Sequence, residues 1–205
     1  METKWAADHL QVIRTLMERS ALYRRALAPI MLISGAIGII AATLGRLAKF
    51  DTMREFIVFW MAVATLSLVV ALILTRRQAL KEAEPFWSLP TQRVASGLFP
   101  CFLTGLGVAI LGLLHPHLIP SWLIVTLWIL NYGCALRAAG FFMQRGIKLF
   151  GTGFLFGGIL ILLLAPSCPW LIETPAGHCL MGLFFGGGHL AYGGYLYFTE
   201  RKSAA

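Results

Sequence analysis

The stretch FIVFWMAVATLSLVVALILT, Phe56–Thr75, contains no charged residue and is bounded by Arg54 and Glu55 on one side and Arg76 and Arg77 on the other. An apolar helix of about 20 residues crosses the hydrocarbon core of a bilayer. Working outward from this run, five more of comparable character appear: Leu27–Leu44, Leu98–Leu114, Trp122–Phe142, Leu149–Ala165 and His178–Phe198. The pattern predicts an all-α membrane protein, a six-transmembrane-helix bundle over residues 27–198. The third and fifth runs are short and Gly-rich. Failure of either to span would move the C-terminus across the membrane.

Composition agrees. The 205 residues are 58% hydrophobic and 13% charged, against about 25% charged in a typical soluble domain. A water-soluble fold of this size has no means of hiding so much apolar surface. The net charge is +8, yet the bases lie mainly between apolar runs. Basic loops facing anionic lipid are favoured over nucleic-acid binding.

Distribution of those bases orients the chain. The N-terminal segment holds Lys4, Arg14, Arg19, Arg24 and Arg25, and the second connection Arg76, Arg77, Lys81 and Arg93. The fourth has Arg145 and Lys148, the tail Arg201 and Lys202. The third connection, His115–Ser121, and the fifth, Pro166–Gly177, have no Lys or Arg. This predicts cytoplasmic N- and C-termini. Arg46, Lys49 and Arg54 in the first connection dissent.

Residues 1–26 lack the apolar core and cleavage site of a secretory signal, so the first span is expected to act as an uncleaved one. Ala6, Leu10, Ile13, Met17 and Ala21 recur at helical spacing, predicting an amphipathic cytoplasmic segment. It would pack under the bundle, lie on the lipid surface, or dock a cytoplasmic protein partner. In the second connection, Pro85 and Pro90 are expected to bracket a non-helical turn, with Phe86 and Trp87 at the interface. Residues 199–205 form a cytoplasmic tail.

Small residues recur at four-residue steps: Ser34, Gly38 and Ala42; Cys101, Gly105 and Ala109; Gly153 and Gly157; Gly182 and Gly186. Such series let helix backbones approach closely in lipid, where apolar side chains gain little by meeting one another. All nine acids fall outside the spans, which weighs against a proton- or cation-coupled carrier. Phosphate-loop, dinucleotide-fingerprint and HExxH patterns are also missing from the chain.

Two ionisable residues lie within spans. Arg137 is near the cytoplasmic end of the fourth, where its side chain can snorkel to the interface. His189 is near the midplane of the sixth, with Asn131 at similar depth in the fourth and Tyr192 and Tyr195 following on a similar face. A neutral imidazole out of water needs both a donor and an acceptor partner. Asn131 or a Tyr hydroxyl, Tyr192 foremost, meets that need. The readings are an interhelical hydrogen bond, a small-ligand pocket, or an axial ligand to haem or a metal.

A second cluster falls on the outer face: His115, His117, Cys168, Glu173, His178 and Cys179. Imidazole, thiolate and carboxylate bind transition metals, although the spacings match no zinc signature. Cys168 and Cys179 are also a candidate disulfide in an oxidising compartment. Unlinked interfacial residues are the third reading. Cys101 and Cys134 read as small packing residues.

The strings EPFWSLPTQRVA at Glu84–Ala95 and MGLFFGGGHLAYGGYLYFTE at Met181–Glu200 resemble those of an uncharacterised bacterial integral membrane protein family, and the layout is similar. The resemblance implies bacterial origin and an inner-membrane location. It carries over no catalytic residue. With no cofactor predicted, the first expectation is a non-enzymatic accessory, sensory or regulatory membrane protein. The alternatives are a small-molecule transporter or ligand-binding channel using the sixth span, and a metal- or haem-binding redox protein. Oligomeric state is not legible in the sequence.

Overall fold

The computed structural model describes residues 26–83, 85–143 and 145–203. The amphipathic segment expected over residues 1–26 therefore lies almost wholly outside the described residues. All regular structure among the described residues is helical: α1 (Ala26–Leu47), α2 (Met53–Lys81), α3 (Leu89–Leu114), α4 (Ser121–Ala139), α5 (Arg145–Leu164), α6 (Thr174–Met181) and α7 (His189–Ser203). Five of these helices are long and apolar enough to cross a membrane. The sixth apolar run differs. It is helical from Thr174 to Ser203, but a π-helical turn at Gly182–Gly188 separates α6 from α7. Gly182, Gly186, Gly187 and Gly188 hold the α-helical register weakly, and π turns often mark functional positions.

Helix ends follow local chemistry. Thr52 caps α2 in a capping box with Glu55, each side chain taking the other's backbone N–H, a reciprocal arrangement that satisfies two orphan donors. Residues 85–88 form the non-helical turn expected between Pro85 and Pro90, but helix α3 already begins at Leu89, nine positions before the apolar run does. Pro90 instead stands in the first turn of α3, where its missing N–H costs nothing. The polar residues Thr91, Gln92, Arg93 and Ser96 of those first turns concealed the helix from an apolar count.

The small-residue series of α1 and of the sixth segment meet each other. A Cβ on Gly38 would stand 2.7 Å from the carbonyl oxygen of Phe185, and one on Gly186 would stand 2.9 Å from the backbone nitrogen of Ile39. The two backbones are thus in direct apposition, as expected for small residues in lipid. Helices α4 and α5 do the same through Gly133 and Gly151. Gly157 makes room for the Phe184 ring, whereas Gly153 faces open space and Gly105 is approached only by Trp128. The series in α3 therefore builds no backbone contact of this kind.

Burial is uneven along the bundle. At the end that carries His178, Phe56, Ile57, Trp60, Ile124, Val125 and Ile129 are almost wholly buried. There Gly112 of α3 receives the tips of Ile57 and Ile124. Beyond Trp60, no α2 residue is buried until Ala79, and among its described residues α3 is buried only at Ala109 and Gly112. The two helices meet at the His178 end and part from each other further along.

Candidate functional site

Where α2 and α3 part, a cavity of about 520 Å³ opens into the bundle. Its wall is apolar over most of its area, with Leu27, Met31, Leu68, Phe102 and Leu106 among the lining residues. The hydroxyl residues Ser34, Thr65, Ser67 and Thr75 are spread along α1 and α2 in the lining. Asn131 and Tyr132 of α4 and His189 of α7 lie together on one wall. Among the described residues, no Asp, Glu, Lys or Arg lines it.

His189 is 4% exposed and is positioned by the π turn. Its Nδ1 lies 3.4 Å from the Phe184 carbonyl oxygen, five residues earlier, and its Nε2 lies 2.7 Å from the Tyr132 hydroxyl. A carbonyl only accepts, so Nδ1 carries the hydrogen and the Tyr132 hydroxyl donates to Nε2. Phe150, Phe154 and Phe185 surround the ring, with centroids 5.2, 5.9 and 6.1 Å away. The partner is thus Tyr132, rather than Asn131 or Tyr192 as the sequence suggested. Asn131 turns to α3, accepting from the Thr104 hydroxyl at 2.7 Å and donating to the Leu127 carbonyl at 3.0 Å. Tyr192 stacks on Phe150 with centroids 4.7 Å apart, and its buried hydroxyl has no hydrogen-bond partner among the described residues. Arg137 is not among the cavity-lining residues. It is exposed and donates to Thr152 on α5 at 2.9 Å.

The second histidine of this segment serves another purpose. His178 is fully buried. Its Nδ1 accepts from the Trp60 indole at 3.1 Å, and its Nε2–H donates to the Phe50 carbonyl at 3.2 Å. An indole N–H only donates, so this ring is the opposite tautomer to His189. Phe56 and Phe59 meet its faces edge-on, and Gly45 leaves room that a Cβ would take from the ring.

These contacts correct the proposed outer metal cluster. Among the described residues, no group of three or more His, Cys, Asp or Glu is placed to hold a metal ion. Both nitrogens of His178 are engaged inside the protein. Helical periodicity turns the next residue, Cys179, outward, where its sulfur accepts from Arg46 at 3.7 Å. His115 and His117 are exposed in the connection between α3 and α4, with ring centroids 6.1 Å apart. Cys168 and Cys179 are separate free thiols, not the expected disulfide. Cys168 packs against the core from the fifth connection, while Cys179 faces Arg46. An axial haem or metal bond at His189 would have to displace Tyr132 from Nε2.

Sequence reasoning missed Tyr132, Trp60 and the Phe50 carbonyl. The first was findable, since it neighbours Asn131 at the depth of His189. No protein family, curated protein or solved structure matches the chain.

Proposed function

We propose that the chain is a six-span protein of a bacterial inner membrane, with both termini cytoplasmic, that binds an apolar small molecule within its helix bundle. The observation that carries the binding reading is the cavity between α2 and α3, apolar over most of its wall and polar where Asn131, Tyr132 and His189 gather. Ligand sites are commonly concavities of about 300–1,000 Å³ with a few convergent polar groups. A purely structural hydrogen bond would not need an open cavity beside it. This moves the ligand-binding reading ahead of the accessory or regulatory one.

Six spans are supported by the helical course of Thr174–Ser203 and by contacts between the first and fifth connections. His178 bonds the Phe50 carbonyl, and Arg46 donates to the Pro175 carbonyl at 3.3 Å, as alternating spans require. Arg46 thereby has a packing role that accounts for one base on the face otherwise poor in them. Bacterial origin and the inner membrane rest on the resemblance of the two strings. Reporter fusions at each end test the orientation, and periplasmic activity at either terminus would refute it. For binding, native mass spectrometry of protein released from membranes without added lipid should show a retained apolar adduct. The adduct should be lost in Ala64→Phe, which places a ring in the cavity. Equal adduct patterns in both proteins would overturn the binding reading.

A further inference from the structure

We infer that the occupant is a neutral lipid whose head carries a hydroxyl, admitted sideways from the bilayer between α2 and α3. The inference rests on the ligand-binding reading and adds the chemical class and the route. Three observations carry it.

The first is the route. Lining residues Leu68 on α2 and Phe102 and Leu106 on α3 are also 47%, 40% and 42% exposed. Accessible apolar side chains of both helices thus border the cavity, which fits a mouth between α2 and α3 on the apolar surface of the bundle. In a membrane that surface meets acyl chains, so the cavity opens to lipid. An occupant arriving by this path is already dissolved in the bilayer.

The second is neutrality. With no Asp, Glu, Lys or Arg among the described residues of the lining, a phosphate, carboxylate or ammonium head would find no counter-charge from them in an apolar site. Such a charge is costly at this depth. An uncharged head avoids that cost.

The third is the free hydrogen-bonding capacity at the polar wall. Tyr132 donates its single hydroxyl hydrogen to His189, which leaves lone pairs on its oxygen to accept. Asn131 uses one amide hydrogen on the Leu127 carbonyl and its oxygen on Thr104, which leaves the second amide hydrogen to donate. The wall thus offers one acceptor and one donor. A hydroxyl complements both, because it donates and accepts. A ketone or an ether would leave the Tyr132 lone pairs unmatched.

The test uses the full chain in phosphatidylcholine vesicles and two photoactivatable diazirine probes of equal length: a long-chain alcohol and the phosphate monoester of that alcohol. The alcohol should label peptides containing Leu68, Phe102 or Leu106, and the phosphate should label them at least about tenfold less. Ala64→Phe should abolish the labelling. Cys101→Phe, which fills the cavity from α3, guards against poor folding of one variant. Tyr132→Phe should reduce labelling by the alcohol about threefold, the loss of one intramembrane hydrogen bond. If the phosphate labels as well as the alcohol and filling the cavity blocks both, the neutral-head inference is overturned and ligand binding stands. Undiminished labelling in Tyr132→Phe overturns the assignment of the hydroxyl to Tyr132. If neither cavity-filling variant reduces labelling by either probe, the binding reading and the inference fall together.

Discussion

His178 and His189 occupy the same helical segment, both are buried, and both have two polar contacts, yet their surroundings differ in kind. His178 is closed in by Phe56, Phe59 and Trp60, and it ties the first connection to α2. His178 does not line the cavity, although its partner Trp60 does. His189 has one nitrogen on its own helix and the other on Tyr132, and both residues of that pair line the open cavity. The difference teaches that a buried histidine in a membrane bundle is not a functional signal by itself. What distinguishes the two is unspent hydrogen-bonding capacity beside open space. Tyr132 and Asn131 have it, and the Trp60–His178–Phe50 arrangement does not.

Substitutions sharpen that contrast. The largest loss is expected for His178→Ala, which removes a fully buried ring and leaves the Trp60 indole N–H unpaired. Unfolding in detergent should be easier by about 2–4 kcal/mol, and a shift near zero would remove the structural role assigned to this ring. Gly45→Ala is expected to cost about 1–3 kcal/mol by overpacking against the same ring. In a His178→Ala background most of that cost should disappear, a coupling that a double-mutant cycle reads directly. His189→Leu keeps the volume and loses one interhelical bond, so its stability cost should be near 0.6 kcal/mol (roughly the membrane-protein average). Retention of the bound adduct should nevertheless fall by up to about threefold, because the Tyr132 hydroxyl loses the bond that orients it. If His189→Leu destabilises as much as His178→Ala and leaves retention intact, the two histidines are alike and the comparison collapses. The smallest effect is expected at the exposed Cys179. Cys179→Ser should change stability by less than about 0.5 kcal/mol, and alkylation of native membranes should modify Cys168 and Cys179 separately.

Apolar runs revealed the helices because lipid demands long uninterrupted apolar stretches. They understated α3, whose polar first turns project beyond the apolar stretch, and they did not disclose the π turn, since Gly182–Gly188 reads as apolar in any register. Depth was legible too, as with His189 and Asn131 near mid-span. Rotation about the helix axis was not. Adjacent residues on a helix point about 100° apart, so Asn131 and Tyr132 face different neighbours at the same depth. Only the packing of α4 against α3 and α7 decides which one meets His189. The outer cluster failed for the same reason: His178 and Cys179 are neighbours in sequence, yet the first turns into the protein and the second out of it. The cavity had no sequence signature at all, because it arises from two helices that part beyond Trp60.

The most direct test of the account is an electron cryomicroscopy structure of the protein in nanodiscs formed from its native membrane lipids, at a resolution that shows side chains. The expected result is elongated density between α2 and α3, running inward past Leu68 and Phe102 and ending against Tyr132 beside His189. Helix α2 packed onto α3 along its whole length, with the cavity closed and no density at Tyr132, would contradict the account.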